Sequence, residues 1–402
     1  MSTIAQQIGS MKISSPIMVA SGPLSDSPDL IRRAEDCGAG CVSTKLTMLT
    51  QPVQGHRRMY AVRGMYSFNP SDRRNSLEQG VELVYHTKKI TSLPIFANIA
   101  GPGDNLEEWC RLSRKMEEAG ADALELNFVC PNMAFSRDSC GEGQLAGAQI
   151  GQHPEIISRI AAAVKACVAI PVWVKATANN VNHLNTARAL AQTDIDGIVV
   201  MGTQIAVPPI DIYRGGRTCM PNLGNNALGG LVGPVNRHYA NRLIANTALN
   251  TSLPIAGGGG ITEWTHVVEA IMFGASITPM CTKLLWDGFE VIRKMNQGLL
   301  QFMEEQGYET IGDMRGLALK HLVTPDKLEA YDVPPHFDRE RCVGCGACLK
   351  IGSCTALSLD EERKAQVDVS KCAFCGLCGS LCPRGAIYFP REWEQESQKG
   401  AM

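Results

Sequence analysis

Short apolar runs alternate with longer amphipathic stretches along most of the chain. Eight runs have the length and composition of buried strands: residues 16–21, 40–46, 94–100, 123–129, 171–177, 197–203, 254–260 and 276–282. Between them, residues 105–120, 153–168 and 263–275 carry apolar side chains at helical spacing. This alternation predicts parallel βα units. Eight such units predict a (β/α)8 TIM barrel over residues 1–320. An open doubly wound sheet is the alternative, and eight parallel strands favour closure. Residues 321–338, with Pro325, Pro334 and Pro335, read as a linker. Residues 339–392 form a small α+β module, and residues 393–402 a polar tail.

Barrels of this kind do their chemistry at the C-terminal ends of the strands. Polar residues gather there: Ser21, Lys45, Asn98, Asn127, Cys130, Lys175, Thr203, Gly257 to Gly260, and Thr282. Two lysines at the ends of buried strands need a partner, since lysine is almost never buried unpaired. An anionic cofactor would supply one. The glycines of residues 257–260 open the helix after the seventh strand, and Cys281-Thr282 close the eighth. Loops after strands seven and eight are where such barrels hold phosphate. A phosphate-bearing flavin, FMN, fits that placement. Cys130 follows the fourth strand and leads a long loop rich in Gly and Ser. A loop of that length is usually functional, and a thiol there can move a proton opposite a hydride carrier. Ser139 and Cys140 compete for that role, whereas Cys37, Cys41, Cys110 and Cys167 read as core cysteines. His153 and His183 read as surface or cap residues, and Arg57-Arg58 and Arg73-Arg74 as solvated pairs or an anion-binding lid.

Composition changes this picture at one place. The 402 residues are 45 % hydrophobic, and 38 basic against 40 acidic residues leave a formal charge of -2. That removes the electrostatic case for nucleic-acid binding. No apolar run reaches the length of a membrane span and the N-terminus lacks a signal-peptide pattern, so a soluble cytoplasmic protein is expected. The exception is cysteine: of 16, eight lie between Cys342 and Cys382. Cys372, Cys375, Cys378, Cys382 and Pro383 reproduce the bacterial C-x2-C-x2-C-x3-C-P spacing of a 4Fe-4S cluster. In two-cluster ferredoxins the fourth cysteine of each run serves the other cluster. Cys342, Cys345, Cys348 and Cys382 should therefore hold one cluster, and Cys372, Cys375, Cys378 and Cys354 the other. The first run departs from the pattern, with five residues before Cys354 and no following proline. Zinc could use two C-x2-C pairs, but it has no use for the third cysteine and the C-P tail.

The sequence S-T-K at 43–45, E-L-N-x-x-C-P at 125–131, V-K-A-T at 174–177, the glycine-rich seventh strand and the paired cysteine runs resemble the dihydroorotate dehydrogenase superfamily. With the cluster module, the resemblance is to its pyrimidine-reducing branch. That resemblance implies FMN in the barrel, two 4Fe-4S clusters, and reduction of the 5,6 C=C bond of uracil or thymine. Cys130 is then the proton donor, with Asn98, Asn127 and Thr203 at the substrate. Ala20, Ser21, Lys45, Asn98, Lys175, Gly230, Gly233, Gly258, Gly259, Gly260, Cys281 and Thr282 lie at the flavin. Relatives usually carry Asn-Thr after the sixth strand; here Gly202-Thr203 stands there, which puts the substrate contact in question. No Gly-x-Gly-x-x-Gly follows a strand, so NAD(P)H would be oxidised by a partner chain bearing FAD. An oligomer is expected. The alternatives are a dihydroorotate-type dehydrogenase, a reductase of another unsaturated ring, and an electron-transfer subunit whose barrel is inactive.

Overall fold

The computed structural model describes residues 2–49, 55–103, 105–130, 145–179 and 183–390. The chain divides into two compact units, Met1–Leu322 and Val323–Met402. All eight expected strands are present: β1 (Ile17–Val19), β2 (Cys41–Ser43), β3 (Ile95–Ile99), β4 (Ala123–Asn127), β5 (Val172–Ala176), β6 (Gly197–Met201), β7 (Ile255–Gly258) and β8 (Thr278–Met280). They lie in one parallel sheet in chain order, with β8 paired to β1. A parallel bridge between Ala256 and Ile277 joins β7 to the start of β8 and closes the barrel. The outer layer includes α1 (Pro28–Asp36), α2 (Leu77–Ile90), α3 (Leu106–Glu118), α4 (Pro154–Cys167), α5 (His183–Leu190), α6 (Arg237–Ala248) and α7 (Trp264–Met272).

Strand parity sets what fills the barrel. Successive side chains on a strand point to opposite faces. Met18, Cys41, Phe96, Ala123, Trp173, Val199, Ala256 and Ile277 form one interior layer, one residue from each strand region. Ile8, Met11 and Ile13 of an N-terminal hairpin, Gln6–Ile8 with Met11–Ile13, cap that layer from below. The residues of opposite parity, such as Ile95, Leu124, Val174 and Ile198, pack against the helices in the larger core. Two residues further along the inward parity come Asn98, Glu125 and Lys175. A polar layer therefore sits directly above the apolar one, toward the C-terminal ends.

A second sheet covers part of that end. Its strands run in the order Gln204–Ala206, Gly229–Val232, Tyr66–Ser71, Arg58–Val62, all antiparallel. It joins the segments that follow β2 and β6. Gly229 permits the close approach, because a Cβ there would lie 2.5 Å from the Asn69 carbonyl oxygen and the Pro70 Cα. Two expectations are corrected. His183 is buried, with Nε2 3.0 Å from Thr247 Oγ1, because α5 packs its first residue against α6. Arg74 is also buried rather than solvated, because this sheet carries its chain back over the barrel mouth.

In the second unit, His336–Phe337 pairs with Ile387–Tyr388, and Leu357–Leu359 with Ala365–Val367. The strand at His336 begins the module slightly before residue 339, the start expected from sequence. Among the described residues, no helix is long and apolar enough to cross a membrane.

Candidate active site

A cleft of about 1230 Å³, its open mouth included, lies at the C-terminal ends of the barrel strands. Ala20, Ser21, Lys45, Asn127, Cys130, Lys175, Thr203, Gly230, Gly233, Gly259, Gly260, Cys281 and Thr282 all line it. Asn98 and Gly258 do not. Asn98 is fully buried beneath the floor, where its Oδ1 accepts a 3.0 Å hydrogen bond from Asn127 Nδ2. Its own Nδ2 donates to Glu125. Asn127 Oδ1 accepts from the Val129 amide at 2.9 Å. The Asn127 amide group is thus fixed from two sides before any ligand arrives.

Both lysines have partners within the chain. Lys175 Nζ lies 2.9 Å from Glu125 Oε1, and both side chains are buried. Lys45 pairs with Asp72, which also holds Arg57 at 3.2 Å. The lysines were expected to find their partner in an anionic cofactor; each has a carboxylate of the chain beside it instead. Sequence reading missed Glu125 and Asp72. The signal for Glu125 was its inward parity among the apolar residues 123–126, in register with Asn98 of β3. Asp72 gave no such signal, because its approach to Lys45 depends on the antiparallel sheet.

Cys130 stands just past β4, and the carbonyl of Cys130 accepts from the Ala148 amide at 3.3 Å. Arg74 Nη2 lies 3.3 Å from Cys130 Sγ. Ser139 and Cys140 fall outside the described residues. On the opposite wall, burial pushes the Cys281 thiol up to about 11, against the pull of Lys45 and Lys175. Cys281 is thus a neutral thiol near neutral pH. At Gly202 a Cβ would lie 3.0 Å from Ala240 Cβ and from the Asn236 carbonyl oxygen. The start of α6 occupies the room a side chain at 202 would need.

Glycine shapes the far end of the cleft. Gly233, Gly259 and Gly260 have φ of 106°, 132° and 76°, a region that L side chains avoid. A Cβ on Gly260 would meet the Arg237 backbone nitrogen at 2.8 Å, and one on Gly259 the Gly202 nitrogen at 2.8 Å. These positions let bare backbone form the wall, as close approach of a phosphate requires.

In the second unit, a separate pocket is lined by Cys342, Cys345, Cys348 and Cys382. The nearby thiols of Cys342, Cys345 and Cys382 help raise that of Cys348, after burial, and those of Cys375 and Cys354 do the same for Cys378. Each run of cysteines therefore receives its fourth neighbour from the other. Amide groups of Ala365, Phe374 and Ala386 approach Cys342, Cys372 and Cys382 sulfurs at 3.3–3.4 Å. Gly344, Gly346 and Gly376 have positive φ at the turns between the thiols. Among the described residues, no three His, Cys, Asp or Glu side chains converge as a single-ion site would require. Four thiols around one pocket suit a 4Fe-4S cluster.

Residues 3–303 match the dihydroorotate dehydrogenase family across most of the chain. The chain belongs to that family. Residues 341–386 match the 4Fe-4S dicluster domain. The chain is 28 % identical to the NAD-dependent dihydropyrimidine dehydrogenase subunit PreA of Escherichia coli, over 94 % of this chain and 93 % of the relative. It is 32 % identical to the catalytic subunit of dihydroorotate dehydrogenase B (NAD(+)) from Pyrococcus furiosus, over 76 % and 95 %. The corresponding subunit of Thermoplasma volcanium is 30 % identical, over 80 % and 100 %.

Members of this family bind FMN, and the cleft fits it: a glycine-lined end for phosphate and a polar floor under the ring. The dicluster module binds two 4Fe-4S clusters, and its eight cysteines are arranged to hold them. The protein is a flavin- and iron–sulfur-dependent oxidoreductase of the dihydroorotate dehydrogenase family.

Proposed function

We propose that this protein reduces the 5,6 C=C bond of uracil, thymine or a related ring, drawing electrons from a partner chain. The observation that carries this reading is the Cys130 thiol in a cleft that also presents Asn127, Thr203 and a glycine-lined phosphate end. The similarity to the E. coli dihydropyrimidine dehydrogenase subunit, which extends through the cluster module, supports it. Bound FMN would supply a hydride, received as single electrons through the clusters.

The chain's own residues do the rest. Asn127, held by Asn98 and Val129, presents its amide to the ring. Thr203 lines the same wall, and its carbonyl is held by Asn179 Nδ2 at 3.2 Å. The Cys130 thiol gives its proton to the ring carbon next to the one that takes the hydride. Lys45, Lys175, Ala20, Ser21, Gly230, Gly233, Gly259, Gly260, Cys281 and Thr282 form the flavin wall, with Gly258 behind it. Asn98 acts as the support of Asn127 and Lys175 rather than as a direct contact. Cys342, Cys345, Cys348 and Cys382 hold one cluster; Cys354, Cys372, Cys375 and Cys378 hold the other. The partner supplies FAD and an NAD(P)H site, consistent with a relative that is NAD-dependent and one subunit of its enzyme.

The test is anaerobic. The holoenzyme is reduced chemically, and flavin reoxidation is followed after adding uracil, thymine or orotate separately. Rapid reoxidation by uracil or thymine is expected. Reoxidation by orotate alone would assign a dihydroorotate-type reaction. None by any of the three would move the substrate to another unsaturated ring.

A further inference from the structure

We propose that Lys364 sets the two clusters apart in reduction potential, so that the one held by Cys342, Cys345, Cys348 and Cys382 takes the first electron that enters the module. This rests on the assignment of the eight cysteines given above and is independent of the substrate. A hairpin carries the lysine to its place. Leu357–Leu359 pairs with Ala365–Val367, and residues 360–364 form the tip. That tip folds onto the first cysteine run. Gly344 has φ +67°, and a Cβ there would lie 2.3 Å from the Arg363 carbonyl oxygen. The Ala365 amide donates to Cys342 Sγ at 3.4 Å, and Lys364 Nζ donates to the Cys342 carbonyl oxygen at 2.7 Å. One hairpin thus brings an amide and an ammonium to the same ligand residue.

Three carboxylates share the tip with Lys364. Asp360 and Glu362 are turned to Arg339, at 2.7 and 2.8 Å. Glu361 is exposed, where water and salt screen it. Lys364 is half-buried, with its ammonium turned inward to the Cys342 carbonyl. Arg384 lines the same pocket from its exposed rim. The second set of cysteines is placed differently. Lys371, next to Cys372, is exposed and paired with Asp368 at 2.8 Å. Amide donors serve both sets: Ala386 donates to Cys382 Sγ, and Phe374 to Cys372 Sγ. Charge is what separates them. Reduction adds one electron to a cluster, taking it from the 2+ to the 1+ state, with no bond made or broken. A positive charge nearby favours the more negative state and raises the potential. The effect is largest where burial limits screening. The first electron received from the partner chain therefore settles on the cluster beside Lys364.

Potentiometry tests this without turnover. The holoenzyme is titrated anaerobically with dithionite and mediators, and the reduced clusters are read by low-temperature EPR. The proteins are the native chain, Lys364→Gln, Lys364→Met, Lys364→Arg and Lys371→Gln. The native protein is expected to show two unequal potentials. In the two neutral Lys364 variants the upper one should fall by at least a tenfold change in the reduced-to-oxidised ratio, about 59 mV for one electron. The lower one should change less than twofold in that ratio. Lys364→Arg and Lys371→Gln should stay within twofold of native at both. Equal potentials in the native protein would overturn the proposal. So would an unmoved upper potential in the neutral variants, a fall at the lower potential alone, an equal fall of both, or the same fall in Lys371→Gln. The second neutral variant and the native measurement keep the test decisive where one variant loses its clusters. Failure of the cysteine assignment shows separately, as a native iron content short of two 4Fe-4S clusters.

Discussion

Cys41, Cys167 and Cys130 show how one residue type behaves differently in different surroundings. Burial, and then the Glu125 carboxylate, push the Cys41 thiol far up. Burial and Cys110 push Cys167 up to about 12. Cys130 is only partly buried, at a strand end, and lies against a guanidinium. Cys130→Ala is expected to keep its flavin and clusters and lose about 10²–10⁴ in turnover; near-native turnover with all cofactors bound would remove Cys130 from the proton transfer. The histidines give a second prediction. Burial holds His183 and His266 below the ordinary imidazole value of 6.5. The unfolded chain then binds protons more readily than the folded one near that pH. Their contribution to stability is complete above about pH 6.5 and is lost as pH falls through their lowered values. Denaturant midpoints at pH 7.5 and 5.5 should fall accordingly, and His183→Gln should reduce the difference. An equal difference in that variant would assign the slope to other groups.

Among the elements, the junction of β7 with α7 carries the strictest local demand. Gly260 has φ +76°, and any Cβ there meets the Arg237 backbone at 2.8–2.9 Å, at the start of α6. Neither atom can move without shifting that helix. Gly260→Ala should cost roughly 1–3 kcal/mol and loosen FMN. The measurements are the thermal midpoint and the fraction of flavin retained on gel filtration. Native values for both would mean that the backbone there is free to adopt another conformation. The antiparallel sheet over the barrel mouth has an equally definite role: it delivers Asp72 to Lys45 and Arg74 to Cys130, although Arg58–Val62 and Tyr66–Ser71 carry none of the barrel's strand pairing.

For the whole molecule, the two units solve different folding problems. The barrel unit buries apolar residues from every strand, in an interior layer and in a larger core under the helices. The cluster unit has a small core, in which Cys342, Cys348 and Cys378 join Ile351, Ala365, Ala386 and Ile387. So small a core needs metal to be stable. Anaerobic removal of the clusters by chelation should expose the amides of residues 336–390 to hydrogen exchange. The amides of β3, β4 and β5 should stay protected. Equal protection of residues 336–390 with and without clusters would show that the module folds on its apolar core alone.

The sequence by itself determined the eight strands, their order and the cysteine framework, because each rests on local signals: apolar runs of fixed length, turn residues and thiol spacing. It also placed Lys45, Asn127, Cys130, Lys175 and the strand-seven glycines at one end, since strand ends in a closed parallel barrel share a face. What it left open required contacts between residues distant in the chain. The pairing of Lys175 with Glu125 depends on the register of β4 against β5. The support of Asn127 by Asn98 depends on β3 against β4. The burial of Arg74 against Cys130 depends on an antiparallel sheet built from segments after β2 and β6, where no periodic signal marks a partner. Tertiary structure alone decided these contacts, because a side chain's charge and chemistry are written locally, while the group that faces it is fixed only when the barrel closes.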